Sequence, residues 1–164
     1  MNYNWNNNID KSYGFNMNRI HPKENIFHSI YILDNVSGAL YVSNKYSDKM
    51  GFPETSEDLI SSFLNAMSLF ISELNQDEEI QEVNFRQMRI LYEKKGKLTV
   101  IAISKKTNLE VEKYFVHEIL DDFYQRFENQ INHFNGIIDP AILNYKNRLK
   151  TLDLSKSWAY NNFK

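Results

Sequence analysis

Four histidines, His21, His28, His117 and His133, are the first place to look for chemistry in this chain, because imidazole titrates near neutral pH and ligates metals. No pair stands one helical turn apart and no ligand spacing relates them, so they read as structural or solvated side chains. The adjacent acids Asp121-Asp122 and Glu78-Glu79 carry the groups that general acid–base catalysis needs. Nothing beside them marks a pocket that would move their pKa values, and they are expected on a solvated helix face and in a loop. Cys is absent, which removes disulfides, thiolate zinc sites and a cysteine nucleophile together. Gly38, Gly51, Gly96 and Gly136 each stand where a turn or helix cap is expected, not in a phosphate-cradling run. No catalytic, metal-binding or cofactor-binding residue is assigned, and no cofactor is expected.

Lys94, Lys95, Lys97, Lys105 and Lys106 remain as a group. Gathered at loops of a sheet, they would suit a phosphate or an acidic partner; ordinary solubilising charge is the other reading. Over the whole chain 19 basic residues face 21 acidic ones, a net charge of −2 that gives no field favouring nucleic acid or an anionic membrane. No apolar run approaches the roughly 20 residues that span a bilayer, and the start of the chain lacks a signal-peptide pattern, so a cytoplasmic protein is expected.

The elements that would position these groups follow from apolar spacing. Residues 1–25 hold many Asn and scattered aromatics with no period, and read as a mobile arm before a domain at 26–152 and a tail at 153–164. Ile26 to Leu33 and Ala39 to Ser43 read as strands of a hairpin about Asp34, Asn35, Ser37 and Gly38. From Thr55 to Leu74 the residues Leu59, Ile60, Phe63, Leu64, Met67, Phe70, Ile71 and Leu74 recur at three and four, predicting a helix capped by Thr55 that lays this stripe on the sheet. Three short strands follow, around Ile80 to Phe85, Met88 to Tyr92 and Leu98 to Ile103, the last apolar throughout and expected to be central. A second helix is expected from a Thr107 cap with Glu110 as its reciprocal partner, closing at Asn135-Gly136. A third is expected after an Asp139 cap with Pro140 at its first position.

Hairpin, helix, three-strand meander, helix, helix is the order of the longin domain, and the chain resembles one of the longin/roadblock superfamily. The resemblance runs from about Ile26 to Leu152 and is carried by Ile30-Tyr31-Ile32-Leu33-Asp34, Gly38-Ala39-Leu40-Tyr41, Phe63-Leu64-Asn65-Ala66, Arg89-Ile90-Leu91-Tyr92-Glu93 and Leu98 to Ile103. It implies an α+β fold with a five-stranded antiparallel sheet in order 2-1-5-4-3, one helix on one face and two on the other. It also implies a non-enzymatic adaptor or regulatory subunit in trafficking-type regulation, binding a small GTPase, another longin or roadblock protein, or itself as a homodimer. The Asn-rich arm and the lack of a SNARE-type heptad region depart from the longin SNAREs, so a non-SNARE type is expected. A small-molecule sensor of PAS or profilin-like α/β type is the alternative, and would need a pocket between sheet and helices.

An interface can be placed by composition. The side of the first helix opposite the apolar stripe carries Asp58, Ser61, Ser62, Asn65, Ser68, Leu69 and Ser72. Serines are poor helix formers and poor solubilisers, and this helix has no basic residue, so that side is expected to face outward and receive a partner around Leu69.

Overall fold

A computed structural model describes residues 25–46 and 57–151. The arm, the Thr55 cap and the tail lie outside the described residues, apart from Asn25 at the end of the arm. The elements run β1 (Phe27–Asp34), β2 (Leu40–Lys45), α1 (Glu57–Leu74), β3 (Glu82–Asn84), β4 (Arg89–Lys95), β5 (Leu98–Ser104), α2 (Leu109–Asn132) and α3 (Pro140–Thr151). All strand pairings are antiparallel, in one sheet of order β2-β1-β5-β4-β3.

Every residue of β5 is buried, as its unbroken apolar run requires. Alternate side chains go to opposite cores. Leu98, Val100 and Ala102 join Phe27, Ile30, Ile32 and Leu91 beneath α2 and α3, whose Phe115, Ile119, Phe123, Ile131, Ile142 and Leu149 fill that side. Ile101 and Ile103 join Tyr31, Leu33, Ile90 and Tyr92 beneath α1. The α2 side is packed by aromatics: Phe123 meets Phe127 at 4.8 Å and Tyr145 at 4.9 Å between ring centroids, the latter edge to face.

Local chemistry explains the boundaries. Asp34 closes the first hairpin, its carboxylate accepting from the Ser37 N–H at 2.7 Å and the Ser37 hydroxyl at 2.6 Å. Asn35 ties that turn to the β4–β5 turn, its N–H donating to Lys97 O at 2.8 Å and its Nδ2 to Gly96 O at 3.0 Å. Asn108, not Thr107, caps α2, accepting from the Val111 N–H at 3.1 Å. The reciprocal carboxylate is Glu112 rather than Glu110, and it accepts from the Thr107 N–H at 2.7 Å. Asp139 caps α3 as expected, its Oδ1 accepting from the Ala141 N–H at 2.8 Å.

Candidate protein-interaction surface

Several of the groups capable of chemistry make structural bonds. Glu112, with no exposed surface, holds Arg89 Nη1 at 2.8 Å and joins α2 to β4. One turn on, His117 bridges Glu93 of β4 through Nδ1 and Asp121 through Nε2, the latter at 3.2 Å. The hydrogen bond with Glu93 and the charges of Glu93, Asp121 and Glu118 raise the imidazole pKa above its ordinary value, against a smaller opposing effect of burial. Asp121 also takes Lys95 Nζ at 2.6 Å. Its neighbour Asp122 anchors α3, accepting from Tyr145 OH at 2.8 Å and from Arg148 Nε at 2.7 Å. Burial opposes ionisation of Asp122, but Arg148, Tyr145 and Arg126 outweigh it and hold the carboxyl below the usual range. His28 is shifted down, by burial and then by Lys105. His133 Nδ1 lies 2.9 Å from Asn129 O within its own helix, and His21 is outside the described residues.

The lysines do not gather. Lys94, Lys95 and Lys97 sit at one end of β5 and Lys105 and Lys106 at the other, about 20 Å apart along a seven-residue strand. Lys97 Nζ donates to Asn132 O at 3.2 Å and Lys106 Nζ to Phe85 O at 2.7 Å, so both act as ties. A recess of about 540 Å³ lies between α2 and the β3–β4 side of the sheet. Its lining mixes Glu79, Glu93, Lys94, Glu110, Lys113 and His117 with Ile80, Leu91, Tyr92, Tyr114 and Val116, short of the predominantly apolar pocket typical of small-molecule sites. Among the described residues no group of three or more potential ligands could hold a metal ion, and no helix is long and apolar enough to cross a membrane.

What stands out is α1, which is rotated about its axis from the sequence-based expectation, so that part of the apolar stripe faces in and part faces out. Of the apolar stripe only Leu64 is buried; Ile60, Met67 and Ile71 are half-buried. Leu59 (72% exposed), Phe63 (61%), Phe70 (62%) and Leu74 (68%) face outward. On the side expected to receive a partner, Ser61, Asn65 and Ser68 are instead buried against the sheet and Ser72 is half-buried, leaving Asp58, Ser62 and Leu69 exposed. The reason is steric. At Gly38, in the left-handed region at φ +77°, an added Cβ would lie 3.1 Å from Asn65 Nδ2, so α1 sits directly on the β1–β2 turn, where only short side chains fit. Ser61 satisfies its hydroxyl on its own helix, donating to Asp58 O at 3.0 Å, which makes serine a workable residue for so close an approach. Hydrophobic periodicity tells which side of a helix is apolar and not which side is inward, and that is where the sequence reading failed.

The result is an apolar ridge running the length of α1 on the outside of the domain, opposite the small face that seats it. Single exposed apolar residues are ordinary, but four at helical spacing on one line form the kind of contiguous patch that marks an interaction surface.

No family model and no curated protein matches the chain. Among solved structures it is similar to Myxococcus xanthus MglB, at 14% identity over 63% of this chain and 85% of that one, with a TM-score of 0.50. It is similar also to a Roadblock/LC7 domain from Streptomyces avermitilis, at 9% identity over 62% of this chain and 86% of that one, again with a TM-score of 0.50. With the sheet order and the placing of the helices on its two faces, these likenesses identify the fold of this chain as the longin/roadblock fold.

Proposed function

We propose that this chain is a non-enzymatic protein-interaction module, an adaptor or regulatory subunit, whose docking surface is the outward ridge of α1. Its partner is a small GTPase or another longin/roadblock protein. The observation that carries this reading is the exposure of Leu59, Phe63, Phe70 and Leu74 along one line of a helix whose opposite side is already seated. Covering such a ridge removes apolar surface from water at about 25 cal/mol per Å², and the two central Phe residues supply the anchors that dominate interface energetics. The longin/roadblock fold supports the reading as analogy, since a fold constrains function only loosely. Ser61, Asn65 and Ser68 take no part in the docking surface, because those side chains are buried.

The test is capture of partners from native cytosol by tagged wild-type chain and by the Phe63→Asp/Phe70→Asp variant. Recovery of a small GTPase or a longin/roadblock protein by the wild type, and its loss with the variant, is the expected result. An identical set of partners with both chains would place docking elsewhere.

A further inference from the structure

We infer that a recess beneath α1 binds a small zwitterion, a free α-amino acid with a neutral polar side chain. The recess, of about 310 Å³, lies where α1 meets the β1–β2 and β4–β5 turns, at the small end of the range of about 300–1,000 Å³ for ligand sites. Its most buried polar groups are unpaired. Asn65 is 7% exposed and makes no hydrogen bond among the described residues; Ser68 is 4% exposed and its hydroxyl has no partner there either. In the sheet below, the buried hydroxyl of Thr99 is unpartnered too. Thr99 is the cross-strand partner of both Leu33 and Lys94, so it faces α1, on a side of the sheet where Leu33, Ile101 and Ile103 are apolar. Buried polar groups are nearly always paired, and three left open on one face are what a polar ligand site contains.

The charges of the lining narrow the ligand. Lys94 follows Ile90 and Tyr92 onto the α1 face and is partly buried, and Glu79 reaches the same recess from the exposed segment after α1. Lys94 Nζ and Glu79 Oε1 stand 4.0 Å apart, too far for a hydrogen bond, so each keeps bonding capacity for a ligand. A simple anion on Lys94 is repelled by Glu79, and a simple cation on Glu79 is repelled by Lys94. A molecule with both charges on one carbon satisfies both, its carboxylate on Lys94 and its ammonium on Glu79. Beyond this pair the polar lining is neutral. The Asn65 amide and the Ser68 hydroxyl both donate and accept, and Asn35, whose Nδ2 is given to Gly96 O, keeps its side-chain oxygen. Such groups suit a side-chain amide or hydroxyl and leave an ionised side chain uncompensated.

The test is calorimetric titration of the full chain with free amino acids, one at a time. Asparagine, glutamine, serine or threonine should bind with a dissociation constant below about 10 mM, and more tightly than leucine or lysine. The N-acetyl derivative of the best ligand lacks the ammonium and its α-amide lacks the carboxylate; each should bind about 10-fold or more weakly. Glu79→Gln and Lys94→Gln should weaken the parent amino acid to a similar degree with the circular dichroism unchanged, and in Glu79→Gln the parent and its N-acetyl derivative should bind alike. Ser68→Ala should weaken binding by about 3-fold or more. No binding below about 10 mM would overturn the site. Tighter binding of inorganic phosphate or of ethylamine than of any amino acid would overturn the zwitterion, and tighter binding of leucine than of asparagine would overturn the neutral polar side chain. Binding that Lys94→Gln weakens and Ser68→Ala leaves unchanged would put the ligand in the larger recess, which Glu79 and Lys94 also line, and would overturn this one.

Discussion

Glu112 is a carboxylate without exposed surface whose bonds to Arg89, Thr107 and Asn108 fix where α2 begins and which strand it lies against. Removing one side of a buried pair strands the other, so Glu112→Ala should lower unfolding free energy by about 3–5 kcal/mol in urea titration. Glu112→Gln should cost less, because an amide oxygen still accepts from the two backbone N–H groups. His117 gives a pH signature. Its folded pKa is raised above 6.5, so its contribution is fully present below about pH 6.5 and is lost as pH rises through the folded value. Melting temperatures from about pH 5 to about pH 9 should therefore show a component, small because the ring is more than half exposed, that His117→Gln abolishes. At this scale the sequence was poor about pairing. Asp121 and Asp122, expected on a solvated helix face, are half-buried: His117 stands one turn back on α2, but Lys95 of β4 and Tyr145 and Arg148 of α3 come from other elements that no local pattern connects to them.

The strands and the Asp139 cap of α3 were readable because their signals are local. The apolar run of β5 implied burial on both faces, and Ile101, wholly buried between β1 and β4, bears that out. Ile101→Asp should abolish folding, which loss of a cooperative melt would show. The cap of α2 was displaced by one residue, since Thr107 and Asn108 are both capping types and only the reach of Glu112 decides between them. The orientation of α1 was readable only in part, since Leu64 and Ile60 of the expected stripe pack inward while Leu59, Phe63, Phe70 and Leu74 do not. It depends on the fit between Asn65 and Gly38, residues of different elements, and Gly38→Ala tests that fit. The substitution combines a positive φ with a contact tighter than an ordinary one, and should cost about 1–3 kcal/mol by denaturant titration.

For the molecule as a whole the account divides the apolar residues of α1 between two tasks. Leu64, with Ile60, packs into the core beneath the helix, and the ridge from Leu59 to Leu74 stays outside it, the surface proposed for docking. Net charge is close to zero and gives little long-range steering, so docking on the proposed surface would rest on shape and apolar burial. The longin/roadblock fold was legible from the order of elements; the exposed ridge became legible only once the helix had been placed on its sheet. The central claim is that Phe63 and Phe70 are surface residues, and the most direct measurement is the thermal melt of the Phe63→Asp/Phe70→Asp variant followed by far-ultraviolet circular dichroism. The account predicts a native spectrum and a cooperative transition, with two charges placed where only a partner would miss the rings. A chain that is unfolded at room temperature would contradict it, because both rings would then belong to the core.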